Sequence, residues 1–264
     1  MAELPSISIV TPCLNAASTI EEALASVRDQ NYPRLEHVVV DGGSTDGTVE
    51  LLRRAEGVRF VSEPDRGRGD AVNKGVTMST GEVIGWLNAD DRYEDGALLA
   101  VGQALAADPS AMWVTGYCRI IGADGRESRA ALTADKNFLL RHWSYPLYLT
   151  QNFVSDPATF VRRSALEEAG PLDERYLFSH DYDLWLRVGR CHAPLVLRRT
   201  LAGFRMTEGT ASMAGFERQF REHADVARLH GNGHPLPVAV NQGMSRLIVL
   251  VYRALRAVRG LRAR

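Results

Sequence analysis

Short apolar runs alternate with stretches of helical periodicity through the first half of the chain. Residues 7–11 read as a strand, and a helix follows in which Ser18 and Glu21 form a capping box while Ile20, Ala23, Leu24 and Val27 make an apolar stripe. Residues 36–40 read as a second strand, after which the turn DGGSTDG leads into a helix through Leu51 and Leu52. A strand over 58–61, a helix over 70–78 and a strand over 83–87 complete the alternation. Strands and helices alternating over short connections predict a mainly parallel sheet with helices on its faces. In open sheets of this kind ligands bind beyond the carboxyl ends of the strands, and each polar cluster of this half falls just after a strand.

The pattern loosens after Asp91. A helix over 98–105, a β-rich run over 112–121, a turn at GADG and an aromatic loop over 142–153 come first. In ATFVRRSALEEAG a strand passes into a helix that Gly170 and Pro171 stop. In HDYDLWLRVGR, helical spacing puts Asp181, Leu184, Trp185 and Val188 on one face, with Asp183 and Arg187 paired on the opposite one. Residues 212–230 set Met213, Phe216, Phe220 and Ala227 at helical spacing before HGNGHPLP breaks the chain. No repeat, low-complexity segment or linker divides the sequence.

Composition changes this picture in one respect. With 264 residues and 45% hydrophobic content the chain can bury a sizeable core. Its net charge of −1 hides an asymmetry: residues 244–264 carry six arginines and no acid, leaving 25 basic against 32 acidic groups before them. The acidic body repels nucleic acid, while the basic tail suits an anionic surface. Cys13, Cys118 and Cys191 are scattered without metal spacing, which fits a reducing compartment. No basic segment followed by an apolar one opens the chain, and the longest apolar run, 247–252, is too short to span a bilayer, so a cytoplasmic location is expected.

Several acidic positions suggest chemistry. Asp41 ends the strand HVVVD, where it can accept hydrogen bonds from a base or ribose; Ser44, Thr45 and Asp46 read equally well as turn and capping residues. Asp90 and Asp91 follow an apolar strand, and either could cap the next helix. As a pair beyond a buried strand they suggest a divalent cation, since magnesium or manganese needs only one or two carboxylates beside substrate phosphates. In SEPDRGRGDAVNKG, Asp70 and Lys74 can pair on a helix, and Arg66 and Arg68 read as solvated helix-start residues. Asp181 is either a helix-capping residue or, on the core-facing stripe beside Trp185, a carboxylate of raised proton affinity suited to general-base work.

Taken together, SIVTPCLNAASTIEEALASV, VVVDGGSTDGT, SEPDRGRGDAVNKG, TGEVIGWLNADD, PATFVRRSALEEAGPLDE and HDYDLWLRV resemble the family 2 glycosyltransferases, especially the bacterial polysaccharide-assembly branch. The blocks occur in family order over about residues 6–212. The resemblance implies an α/β fold of the GT-A, Rossmann-like type over residues 1–235, with a nucleotide-sugar half to about 110, an acceptor half from 111, and a basic amphipathic helical tail over 236–264. It implies that Thr11, Pro12 and Asn15 form the first loop around the nucleotide and that Asp41 holds the base. Asp65 and Lys74 would line the nucleotide-sugar pocket, and Asn88, Ala89 and Asp90 would occupy the D-x-D position. Asp90 and Asp91 would address Mn2+ or Mg2+ on the diphosphate, Asp181 would be the catalytic base, and the run from Arg205 to Ser212 a mobile phosphate-side loop.

The expected activity is inverting transfer of one sugar from a nucleotide-sugar to a hydroxyl of a glycan or lipid-linked acceptor. The Q-x-x-R-W motif of processive synthases is absent, which favours a single transfer. Asn88 stands where the first acid of D-x-D is usual, His180 where relatives often have Glu or a small residue, Thr207 where many have His, and Asp156 where many have Gln. A catalytically silent donor-binding subunit is the alternative that Asn88 keeps open; a nucleotidyltransferase lacks its glycine-rich basic loop, since TPCLNAAST stands after the first strand. Arginines interleave with apolar residues in 244–264, so this helix either lies on the inner membrane surface or packs on its own domain or a second copy of the chain.

Overall fold

The computed structural model describes residues 3–207 and 215–262, the side chains of 255–262 excepted. Positions 208–212 of the expected phosphate-side loop, Met213, and the side chains of the tail arginines beyond 254 lie outside the described residues. Eight strands form one sheet: β1 (Ile7–Cys13), β2 (Leu35–Asp41), β3 (Val58–Ser62), β4 (Val83–Trp86), β5 (Arg92–Tyr93), β6 (Trp113–Ile121), β7 (Thr159–Arg162) and β8 (Leu195–Arg205). Their order is β3-β2-β1-β4-β7-β6-β8-β5. The four on the β3 side run parallel, β7 runs antiparallel between β4 and β6, and β8 lies parallel to β6.

The helices are α1 (Ile20–Arg28), α2 (Thr48–Arg54), α3 (Arg68–Met78), α4 (Ala97–Ala107), α5 (Ala130–Arg141), α6 (Tyr145–Thr150), α7 (Arg163–Ala169), α8 (His180–Cys191), α9 (Phe216–His230) and α10 (Pro235–Arg262). The stripe Ile20, Ala23, Leu24 and Val27 is buried as its spacing requires, because only that face of α1 meets the sheet. Its N-terminus differs from the expected capping box: Thr19 is the cap residue, and no side chain caps the helix. Helix α3 lies close over β1 because position 75 is glycine, where a Cβ would come 2.3 Å from Val10 Cγ1.

The second half holds elements that the apolar pattern did not announce. Part of the aromatic loop is helical, with the Ser144 side chain accepting from Leu147 N–H at 3.3 Å to cap α6. Helix α5 and strand β8 were both unforeseen. In β8 the pairing with β6 jumps from Leu197 to Thr200, so Arg198 and Arg199 bulge out of the ladder. Proline 235 begins α10 rather than ending a segment, which suits a residue with no N–H to leave unpaired.

A stack of three indoles ties α8 to the sheet. Trp185 lies between Trp86 of β4 and Trp113 of β6, with centroids 5.0 and 5.4 Å away and planes within 4°. All three are fully buried. Such a large buried contact fixes the rotation of α8 about its axis, and Asp181 sits one turn before Trp185 on the same face.

Candidate active site

The loops after β1 and β2 lock into each other. Asn15, in the left-handed region at φ +50°, donates its N–H to Ser44 Oγ at 2.7 Å and accepts from Thr45 N–H at 3.0 Å. Thr11 and Pro12 are buried, and Thr11 Oγ1 pairs with His37 Nε2 at 2.9 Å. Asp41 is buried too, and its oxygens accept from Gly43 N–H at 3.1 Å, Ser44 N–H at 2.9 Å and Ser62 Oγ at 2.7 Å, as well as from Ser44 Oγ. Burial alone would raise its pKa, but these hydrogen bonds outweigh it and hold the carboxyl below its usual value. The carboxylate expected to hold a base therefore holds its own turn.

Across from this turn, Asp65 accepts from Gly67 N–H at 2.8 Å. It lies so near the β2 turn that a Cβ on Gly42 would come 2.6 Å from its carboxylate. Lys74 pairs with Glu63 at 3.0 Å and Asp70 at 3.4 Å, the latter being the expected helical pair. Asp70 also accepts from Arg66, and these contacts bring its pKa to about 2. Arg66 is solvated as expected, with 73% of its side chain exposed. Arg68 is not: half-buried, it turns toward the sheet edge and reaches His180 Nε2 at 3.1 Å and Asn88 Oδ1 at 3.4 Å.

Asn88, Ala89, Asp90 and Asp91 form the turn after β4. Asp91, expected beside Asp90 as a metal ligand, points inward at 1% exposure, accepting from Asn88 Nδ2 at 2.8 Å and Arg205 N–H at 2.7 Å. Burial and the neighbouring Asp90 charge push its pKa well up. Asp90 remains half-buried, and its pKa is also raised by burial, against the pull of Arg68 and Arg205.

Arg205 differs from the expected donor contact. At 5% exposure it donates to Asp90 O at 2.7 Å, Gly122 O at 2.8 Å, Ala123 O at 2.9 Å and Glu22 Oε2 at 2.6 Å. Four of the five N–H groups of its guanidinium are used in clamping the Asp90 turn to the end of β8.

The base candidate stands over a cavity of about 300 Å³ that Arg68, Asn88, Lys136, Asn152, Asp156 and His223 also line. Asp181 accepts from Asn152 Nδ2 at 3.0 Å through Oδ2, while Oδ1 is buried without a partner. His223 Nε2 is likewise buried and unpartnered, and burial lowers its pKa to about 4, so the ring is neutral at pH 7. The raised proton affinity expected of Asp181 falls on Asp156 instead. Burial and the Asp181 charge push Asp156 up to about 7, against Arg68 and the Trp185 indole, whose N–H donates to it at 3.1 Å. Burial raises Asp181 as well, but His180, Arg68, the Tyr182 N–H and Asn152 together bring it below its usual value. Two buried carboxyls with one nearby guanidinium thus settle with the charge favoured on Asp181 and the greater proton affinity on Asp156.

The structure brings Asn88 and Asp181 to one cavity, and leaves Asp41, Asp65 and Lys74 on the β2–β3 side of the edge. Arg68, Asp156 and His223 were not among the expected site residues. Only Asp156 carried a signal, an acid before Pro157 at the end of a loop. A second cavity, about 720 Å³ near β5, is lined by ion-paired residues such as Glu94 and Arg119 and shares no lining residue with this one.

A mainly parallel sheet with its acidic turns gathered at the strand ends, and a carboxylate held over that edge from a later helix, is the arrangement of the GT-A transferases. The model of glycosyl transferase family 2 matches residues 8–170, and the chain belongs to that family. An uncharacterized glycosyltransferase of Mycobacterium tuberculosis is 30% identical over 213 residues, 78% of each chain. Mannosyltransferase PcManGT from Pyrobaculum calidifontis, solved with GDP-Man and Mn2+, aligns at a TM-score of 0.66 and 19% identity over 96% of this chain and 76% of that one. Residues 1–349 of S. aureus TarS, solved with UDP, align at 0.63 and 17% identity over 89% of this chain and 68% of that one. This chain spans 39% of a longer TarS chain. At such identities the two structures show the fold.

Proposed function

We propose that the protein transfers one sugar, with inversion, from a nucleoside-diphosphate sugar to a hydroxyl of a glycan or lipid-linked acceptor in cell-surface polysaccharide assembly. The observation that carries this reading is Asp181 Oδ1, a buried carboxylate oxygen with no partner, on a side chain that lines a cavity also reaching Asn88 at the donor edge. An acceptor hydroxyl in that cavity gives its proton to Asp181 as its oxygen bonds to the anomeric carbon. The bond from that carbon to the diphosphate oxygen breaks on the opposite face, and the diphosphate leaves with the electron pair. Asn152 holds Asp181 in position through its other oxygen, and the indole stack behind α8 keeps the carboxylate facing the cavity.

The donor lies along the β1, β2 and β4 loops, with Asn15, Asp65 and Asn88 at the edge, while Asp41 and Asp91 keep the turns in shape. That TarS binds UDP and PcManGT binds GDP-Man supports a nucleotide donor. Asp90 is the residue that would hold Mn2+ or Mg2+: among the described residues no group of three or more His, Cys, Asp or Glu could do so, but a hard cation can take one carboxylate with phosphate and water oxygens. When bound, it would draw off charge developing on the diphosphate.

Among the described residues no helix is long and apolar enough to cross a membrane. Helix α10 has two sides, which joins the expected alternatives. Asn241 and Ser245 are buried, Asn241 donating to Leu149 O at 3.1 Å, whereas Leu247 and Leu250 are 60% and 61% exposed. The inner side walls the cavity, and the outer side, where Arg246 is exposed beside Leu247 and Leu250, suits the anionic inner face of a cell membrane, where a lipid-linked acceptor would lie.

Screening nucleotide-sugars by thermal shift, with and without Mn2+, identifies the donor, and sugar release or transfer from that donor then tests the reaction. Stabilisation by a donor without any transfer or hydrolysis would favour the second reading, a silent donor-binding subunit, which the neutral Asn88 in the D-x-D position supports.

A further inference from the structure

The cations around the donor edge differ in how fully they are neutralised. Lys74 has Glu63 and Asp70, Arg66 has Asp70 and Glu174, and Arg205 has Glu22 with three carbonyls. Arg68 is the exception. Its two hydrogen-bond acceptors, His180 Nε2 and Asn88 Oδ1, belong to side chains without charge: an amide, and an imidazole that burial and Arg68 itself hold to a pKa of about 4. Among the described residues no carboxylate lies at ion-pair distance from this guanidinium.

Asn88 and Arg68 account for each other. The Asn88 amide N–H₂ donates to Asp91, which turns its Oδ1 toward Arg68. An acid at position 88 would form a salt bridge with Arg68; the amide orients the guanidinium without an ion pair. The same substitution removes a metal ligand, and Asp91 points into the core, so one carboxylate, Asp90, is left for a cation. The turn thus offers one carboxylate where a metal would sit, beside a guanidinium that makes no ion pair among the described residues and that Asp90, Asp156 and Asp181 act on only from beyond ion-pair distance.

We propose that Arg68 is a diphosphate-binding residue that takes part of the role of the divalent cation, so that this protein binds nucleoside diphosphates without added metal. The guanidinium fork matches two phosphate oxygens at once, which a lysine would not. Its place at the first residue of α3 fits this role, since the backbone N–H groups of that turn lie beside it and favour the same anion. This inference rests on the donor site proposed above.

Isothermal titration of the full chain with UDP and GDP, and with uridine and guanosine, in Mn2+ and separately in EDTA, tests it. The expected result is that one diphosphate binds in EDTA within about tenfold of its affinity in Mn2+. Arg68→Gln should weaken that metal-free binding by about ten- to hundredfold, as loss of charge-assisted hydrogen bonds implies. It should leave the matching nucleoside unaffected and retain binding in Mn2+. Arg68→Lys keeps the charge without the fork and should fall between, which covers the case of a glutamine variant that does not fold. Asn88→Asp should shift binding toward dependence on Mn2+. Diphosphate binding only with Mn2+, or equal metal-free binding by wild type and Arg68→Gln, overturns the role of Arg68. Absence of diphosphate binding under both conditions removes the donor reading itself, and this inference with it.

Discussion

The two sides of the site use carboxylates in opposite ways. At the donor edge, Asp41, Asp70 and Asp91 give their oxygens to neighbouring N–H and O–H groups, and their work is to hold loops. At the cavity, Asp181 keeps one oxygen buried and bare, and Asp156 meets only indole donors among the described residues, Trp185 at 3.1 Å and Trp86. Where every acceptor is paired, a carboxylate adds stability; where one is left unpaired in a dry place, free energy is stored that only a ligand releases. The contrast separates residues that build the site from residues that act in it.

The sharpest test of that separation is Asp181→Asn. It should lower kcat by about a thousandfold, the scale of a lost general base, and leave unfolding in urea unchanged or slightly harder, since a buried charge has been removed. Activity near wild type in this variant would end the base assignment. Asp91→Ala should do the reverse. It strips partners from the Asn88 amide and the Arg205 N–H, so urea denaturation should show a loss of roughly 3 kcal/mol. If it instead left stability intact and abolished donor binding, Asp91 would belong with the acting residues.

Asp156→Asn sharpens the contrast through pH. With its pKa raised from an ordinary 3.8 to about 7, Asp156 holds its proton in the folded protein where the unfolded chain has lost it. Stability from this group is therefore lost as pH rises from about 4 to about 7. His37 and His223, both lowered to about 4 by burial, act the other way over pH 4 to 6.5 and are common to both proteins. Thermal melts should show Asp156→Asn gaining on wild type steadily as pH increases through that window; a constant difference would mean that Asp156 is ionised throughout. The smallest effect is expected at Lys74→Ala. Its partner Glu63 is half exposed and the pair is screened by solvent, so the change should leave the melting temperature nearly unchanged. A large loss of donor affinity there would give Lys74 the pocket role that its ion pairs argue against.

The donor side was the more legible half of the fold. Strands β1, β4 and the end of β2 are apolar runs covered on both faces, and α1 shows a clean stripe, so periodicity finds them. Strand β8 was hidden by Arg198 and Arg199, whose charges interrupt the alternation and which the chain accommodates by bulging them outward. Helix α5 was hidden because only Thr133 and Leu140 of its twelve residues are buried, too few to mark a stripe.

At the site, residue type and position beside a strand were readable, but direction was not. Asp90 and Asp91 are neighbours with opposite orientations, and only the arrival of Arg205 from the end of β8 decides which turns inward. Arg68 read as a surface residue because its place depends on His180, 112 positions away. Asp181 and Asp156 show the limit most plainly: burial was inferable from the stripe, yet which carboxyl keeps the proton depends on where Arg68 and the indole N–H lie.

The indole stack has an optical consequence. All four tryptophans belong to one chain of contacts, Trp86 to Trp185 to Trp113 to Trp143, and Trp185 donates directly to Asp156. Parallel rings about 5 Å apart share their excited states, so the near-ultraviolet dichroism should report the stack as a unit rather than as separate chromophores. A ligand entering the cavity perturbs Asp156 and hence one member of that unit. The protein therefore carries a built-in light signal for a ligand entering that cavity, which needs no label.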